Sequence, residues 1–124
     1  MKVLIVDDSS TMRKIIKKTI NQTEKVDEIV EAEDGIDALQ KIKDHNCEFD
    51  LVMLDINMPR VDGLTTLKQL KSMEDTKGIP VIMCTSEAEK EMVIECVKAG
   101  ASDYIVKPFN KDLISEKIEK ISGK

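Results

Sequence analysis

Aromatic residues are nearly missing from this chain: two Phe, one Tyr and no Trp, or 2% of 124 residues. Phe49, Tyr104 and Phe109 are too few to build a base-stacking platform, which argues against single-stranded nucleic-acid binding. Leu, Ile, Val and Met must therefore fill the core. Cysteine is sparse and unpatterned. Cys47, Cys84 and Cys96 form no CxxC and read as three reduced thiols rather than a disulfide frame. Cys84 and Cys96 fall at apolar-face positions and are expected to be small buried hydrophobes. The sole histidine, His45, leaves no cluster for zinc or copper; lying at a helix end among polar residues, it is expected to be exposed. Apolar runs reach only about four residues, far short of the ~20 that a membrane span needs. The opening Met1-Lys2-Val3 enters a strand at once, so no signal peptide and a cytoplasmic location are expected. Basic residues are in deficit, 19 against 24 acidic, and the net charge of −5 opposes general nucleic-acid binding.

What the chain does contain is ordered alternation. At 124 residues it fits one domain, expected to span 1–124, with apolar (41%) and charged (35%) fractions ordinary for a globular protein. Short apolar runs recur at Val3–Val6, Glu28–Ala32, Leu51–Leu54, Val81–Cys84 and Tyr104–Val106. Their β-branched content and weak polar alternation suit strands buried on both faces. Helical spacing lies between them: Met12, Ile15, Ile16, Thr19 and Ile20; Ala38, Leu39 and Ile42; Leu64, Leu67 and Leu70; Met92, Val93, Cys96 and Val97; Ile114, Ile118 and Ile121. Ser9 and Ser10 can cap the first helix, Gly100 can end the fourth, and Asn110 can cap the last. Five β-α units imply an α/β fold: a parallel sheet with helices on both faces and right-handed crossovers. Ligands of such sheets bind outside the carboxyl ends of the strands.

Chemistry gathers at those ends. Asp7 and Asp8 follow the first strand, Asp55 the third, Thr85 and Ser86 the fourth, Lys107 and Pro108 the fifth. A single aspartate after a strand is ordinarily a turn or cap residue. Three carboxylates converging with one lysine are harder to assign to turns. Asp7 and Asp8 adjoin, so they cannot both point the same way. Crowded carboxylates repel, and a hard cation with oxygen ligands such as Mg²⁺ is the natural counter-charge. The set suits phosphoryl chemistry, with a carboxylate as nucleophile and a lysine on a phosphate oxygen. By spacing alone it also suits a small Mg²⁺-dependent phosphatase.

Taken together and in order, these residues resemble the receiver domain of two-component response regulators. The resemblance spans about Lys2 to Ile121. It rests on Val3–Asp8, on Leu54-Asp55-Ile56-Asn57-Met58-Pro59 with Asp62-Gly63, on Thr85-Ser86, and on Lys107-Pro108-Phe109. Asp8–Arg13 and Ala99–Phe109 look like stand-alone chemotaxis regulators of the CheY type. The resemblance implies a flavodoxin-like (βα)5 doubly wound sheet with strand order 2-1-3-4-5. It implies Asp55 as phosphoacceptor from a histidine kinase. Asp7, Asp8, Asp55 and the backbone carbonyl of Asn57 would hold Mg²⁺. Lys107 would pair with the phosphoryl group, Thr85 would be the switch hydroxyl, and Tyr104 the aromatic switch. Asn57 and Glu87 would tune dephosphorylation, and the Lys107-Pro108 peptide would be cis.

The implied protein is a monomeric switch rather than an enzyme, with no output domain, no nucleic-acid partner and no membrane insertion. When phosphorylated it would bind a partner, the flagellar motor switch above all, through the fourth helix, fifth strand and fifth helix. A single-domain phosphorelay intermediate is the alternative within the family. The phosphatase reading would want an acid/base two residues after Asp55, where Asn57 offers only an amide. A flavin or nucleotide carrier would want a phosphate-binding loop after the first strand, where Asp7 and Asp8 repel phosphate. Met53, Met83 and Met92 read as core filler, and Met58 as a loop residue over the acidic pocket. Arg13-Lys14 with Lys17-Lys18, Lys111 with Lys117 and Lys120, and Lys90 read as solvated helix faces.

Overall fold

The computed structural model describes residues 1–23, 25–56, 58, 61–86, 90–107 and 110–122. Strands and helices alternate along the chain: β1 (Lys2–Val6), α1 (Ser10–Ile20), β2 (Glu28–Ala32), α2 (Gly35–Asp44), β3 (Leu51–Asp55), α3 (Gly63–Ser72), β4 (Val81–Thr85), α4 (Lys90–Lys98), β5 (Asp103–Val106) and α5 (Lys111–Ser122). The sheet has five strands in the order β2-β1-β3-β4-β5. Every neighbouring pair is parallel. The order reverses between β1 and β3, so the carboxyl ends of those two strands flank the switch point.

Strand parity divides the core in two. Leu4, Val6, Val52, Leu54, Val81 and Met83 pack on one face against α2, α3 and α4, through Ala38, Ile42, Leu67, Leu70 and Cys96. Val3, Ile5, Leu51, Met53, Ile82 and Cys84 pack on the other against α1 and α5, through Ile16, Ile20, Ile114 and Ile118. Both faces are covered, so every residue of β3 and β4 is buried. That double burial is why the sequence shows runs rather than alternation. β2 departs from the expectation. As an edge strand it buries only Ala32, while Glu28 is exposed and Ile29, Val30 and Glu31 are half-buried.

The polar residues after the strands also start the helices. Ser9 Oγ accepts from the Met12 N–H at 3.1 Å, Asp34 from Asp37 at 2.8 Å, Asp62 from Thr65 at 2.8 Å, and Asn110 from Leu113 at 2.8 Å. Each such cap is worth about 1 kcal/mol. Gly100 follows α4 with φ of 109°, a left-handed conformation that suits glycine.

Several expectations need correction. His45 is half-buried, not exposed: it caps the C-terminus of α2 and tilts against Phe49, with ring centroids 5.3 Å apart. Ile15 and Val97 belong to apolar stripes in the sequence yet lie at their edges and are exposed, as is Ile94. Met58 lies in a loop, as expected, and is buried within the cluster formed with α2, α3 and α4. Cys84 and Cys96 are buried as expected. No described helix is long and apolar enough to cross a membrane.

Candidate functional site

β1 and β3 deliver two buried carboxylates to the switch point. Asp7 is 1% exposed and Asp55, the last residue of β3, is 4% exposed; Asp8 beside them faces solvent. One carboxylate oxygen from each of the three lies within 4.8 Å of the others. The adjoining aspartates therefore reach one pocket from different sides, as their neighbouring positions require.

Asp7 is held from several directions. Its N–H donates to the Ala32 carbonyl at 3.1 Å, extending the β1–β2 ladder by one bond. Its Oδ1 accepts from the Ser9 N–H at 2.9 Å, and its Oδ2 accepts from Lys107 Nζ at 3.2 Å. The same ammonium donates to Asp55 Oδ1 at 2.9 Å. Lys107 reaches this position from just beyond β5, where its backbone N–H donates to the Thr85 carbonyl at 2.7 Å. Burial alone would lower the Lys107 pKa. The hydrogen bond and charge of Asp55, with those of Asp7, outweigh it and hold the pKa above the ordinary lysine value.

Thr85 ends β4 fully buried, its hydroxyl donating to the Ser86 carbonyl at 3.1 Å. Cys84 sits opposite Asp55 in the sheet register, and burial pushes its thiol far up, out of the reactive range. The start of α3 lies directly against Asp55. A Cβ on Gly63 would meet the Asp55 carbonyl oxygen at 2.2 Å, and the Gly63 N–H donates to the Ile56 carbonyl at 2.8 Å. Only a glycine permits that approach.

Tyr104 lies apart from the acidic pocket, on β5 at the sheet edge, 41% exposed. Lys117 of α5 stands over its ring, 5.7 Å from the centroid, and pairs with Asp103 at 2.9 Å. Lys117 is therefore not the solvated residue that its lysine-rich helix suggests. Arg13 is likewise misread as solvated, and it is the site residue that sequence reasoning missed. Its Nη1 donates to the Asp7 carbonyl at 2.6 Å and its Nε to Glu31 Oε1 at 3.1 Å. Asn57, Glu87 and Pro108 lie outside the described residues, as does the Lys90 side chain.

Three carboxylates make an all-oxygen donor set, which fits a hard divalent cation and not zinc or copper. Among the described residues this is the group of acidic, His and Cys side chains close enough to share an ion. A mostly apolar cleft between α2 and α3, lined by Leu39, Ile42, Cys47, Met73 and Thr76, shares no residue with it.

A flavodoxin-like sheet of this strand order, with acids, a buried hydroxyl and a lysine meeting at its switch point, defines a receiver-type signalling domain. The chain belongs to that family: the response regulator receiver domain model matches residues 3–119. It is 44% identical over 123 residues to the chemotaxis protein CheY1 of Helicobacter pylori, covering 99% of this chain and 98% of that one. It is 43% identical over 121 residues to the chemotaxis protein CheY of Pseudomonas aeruginosa, covering 98% and 95%. Among solved structures, it resembles Vibrio cholerae chemotaxis protein CheY4 with a TM-score of 0.85 at 32% identity, covering 97% of each. It resembles the receiver domain of NtrX from Brucella abortus with a TM-score of 0.88 at 29% identity, covering 98% of each. Receiver domains are signalling switches rather than conventional enzymes, and they bind Mg²⁺ at an acidic pocket.

Proposed function

We propose that this protein is a phosphorylation-activated switch that accepts a phosphoryl group from a histidine kinase on Asp55 and then binds a partner through α4, β5 and α5. The observation that carries the reading is the single ammonium of Lys107 bonded to both Asp55 and Asp7. Asp55 supplies the nucleophile: one carboxylate oxygen forms the new bond to phosphorus as the bond from phosphorus to the kinase histidine nitrogen breaks. Lys107 is already within reach of that carboxylate and pairs with a phosphoryl oxygen once the group arrives. Asp7, Asp8 and Asp55, with the backbone carbonyl of Asn57, would hold Mg²⁺. When bound, the ion neutralises phosphoryl oxygens.

The signal follows from the same geometry. A phosphoryl group adds charge and acceptor oxygens at a buried rim. The Thr85 hydroxyl, bonded now to Ser86, turns to donate to one of them. The space it leaves admits Tyr104, and the α4–β5–α5 surface changes. That surface already exposes Ile94, Val97 and Tyr104. The chemotaxis relatives support the flagellar motor switch as the partner. Asn57 and Glu87 tune the lifetime of the phosphoryl group, and the protein works as a cytoplasmic monomer.

The test is incubation with Mg²⁺ and acetyl phosphate. An acid-stable, base-labile gain of one phosphoryl group is expected, dependent on Mg²⁺ and lost in Asp55→Asn. Absence of the gain overturns the reading. Repeated turnover of a phosphate ester would identify a phosphatase, and onward transfer to a second histidine protein a phosphorelay intermediate.

A further inference from the structure

We propose that Arg13 is a positioning residue for the acidic pocket, fixing the peptide that joins Asp7 to Asp8. The inference rests on the metal reading above and concerns how the chain holds its own ligands in register. The carbonyl that accepts from Arg13 Nη1 at 2.6 Å belongs to the peptide plane linking the two aspartates. A peptide is planar, so pinning its oxygen fixes the orientation of the whole unit. The peptide on the other side of Asp7 is pinned too, by the bond from the Asp7 N–H to the Ala32 carbonyl at 3.1 Å. With both planes held, the backbone angles of Asp7 are set, and so is the direction in which Asp8 leaves β1.

The guanidinium is itself fixed from outside the pocket. Its Nε donates to Glu31 Oε1 at 3.1 Å, and the Arg13 side chain is only 17% exposed. Glu31 is braced in turn: Lys17 Nζ lies 3.7 Å from its other carboxylate oxygen, and Lys41 Nζ donates to its backbone carbonyl at 2.8 Å. Residues on α1, α2 and β2 thus brace the one guanidinium that holds the carbonyl just beyond β1. The donors of a planar guanidinium point in directions fixed relative to one another, whereas those of an ammonium rotate about a flexible stem.

Charge and geometry predict opposite signs. Arg13 is a cation beside an acidic site, so by charge alone its removal would tighten Mg²⁺ binding. As a positioning residue, its removal weakens binding. Residues that orient metal ligands typically contribute about 10–100-fold in affinity. The experiment is a calorimetric Mg²⁺ titration of the unphosphorylated full chain, with thermal unfolding of the metal-free protein alongside. Arg13→Ala is expected to weaken Mg²⁺ binding about tenfold or more. Arg13→Lys keeps the charge and the aliphatic stem, so it guards against a variant that fails to fold, and it is expected to weaken binding nearly as much. Lys14→Ala removes an exposed charge from the same helix and is expected to leave affinity unchanged or slightly tighter. Arg13 variants that bind Mg²⁺ as well as wild type, or better, overturn the proposal even if their melting temperatures fall. A wild-type protein that takes up no Mg²⁺ overturns the metal reading itself, and this inference with it.

Discussion

The ammonium of Lys107 donates to Oδ1 of Asp55 across 2.9 Å, joining residues 52 apart in sequence. Their side chains are 20% and 6% exposed, and Asp7 lies on the same ammonium at 3.2 Å. Lys107→Ala would leave two buried carboxylates facing each other without that cation. The expected cost is about 1–3 kcal/mol, toward the lower end because Lys107 keeps contact with water. The pH dependence follows from the direction of the lysine shift. A pKa raised in the folded state means stabilisation fully present below the ordinary value of 10.5 and lost as pH rises above it through the folded value. Wild type and variant should therefore differ at neutral pH and converge in strong alkali. Added Mg²⁺ should raise the melting temperature of the variant more than that of wild type, because it supplies the missing charge. Thermal melts across pH, with and without Mg²⁺, measure each of these outcomes.

Gly63 gives a second prediction whose sign opposes intuition. Gly→Ala within a helix ordinarily gains about 0.5–1 kcal/mol. At Gly63 the new Cβ would sit 2.2 Å from the Asp55 carbonyl oxygen and 2.7 Å from Ile56 Cα, both backbone atoms. The end of β3 must move to admit it. Gly63→Ala is expected to destabilise by about 1–3 kcal/mol. It should also slow labelling of Asp55 by acetyl phosphate, because the displaced peptide carries the proposed acceptor. Gly78→Ala, where a Cβ meets nothing within 4 Å, is the control and should do neither. Urea unfolding and labelling rates together decide it.

The contrast between Asp55 and Arg13 explains what could be read from the sequence. Asp55 ends a run of buried apolar residues, and such runs are visible because the sheet is covered on both faces. The same holds for Asp7 and Thr85, so the carboxyl-edge residues were legible from strand ends alone. The order β2-β1-β3-β4-β5 was not, since five alternating units fit more than one order; the family resemblance supplied it. Arg13 was hidden in a run with Lys14, Lys17 and Lys18, where composition suggests only a solvated face. Its partner Glu31 lies 18 residues away, on β2. Lys117 and His45 were hidden likewise, by contacts with Tyr104 and Phe49 that helical periodicity does not encode. Pairings set by tertiary packing leave no local signal, whereas burial leaves a periodic one.

The three thiols should separate cleanly in a labelling experiment. Cys84 is 1% exposed and Cys96 fully buried, and burial raises both thiol pKa values; for Cys96 the charges of Asp62 and Glu95 add to the effect. Cys47 is half-buried, in a turn with φ of 59° after α2. Iodoacetamide at neutral pH is expected to modify Cys47 in the native protein. Cys84 and Cys96 should react only at the rate of unfolding. Peptide mapping after timed quenching reads the order. Rapid native labelling of Cys84 would contradict the sealed packing behind Asp55.

Tyr104 is the sole tyrosine, and the chain has no tryptophan, so intrinsic fluorescence reports this one ring. In the present structure the residue is 41% exposed, with its ring beneath Lys117, whose ammonium also bonds Asp103 Oδ1 at 2.9 Å. The Tyr104 N–H donates to that same Asp103 oxygen at 2.8 Å, so the backbone is held. If phosphorylation draws the ring inward, acrylamide should quench its emission several-fold less after treatment with acetyl phosphate and Mg²⁺. Asp55→Asn should show no such change, since it takes no label. Thr85→Ala separates chemistry from readout: the mass gain should persist while quenching stays at the unphosphorylated level, because the buried hydroxyl that turns toward the phosphoryl group is missing. Full labelling of the wild type with unchanged quenching would remove Tyr104 from the switch and leave Asp55 as an acceptor read out by other residues.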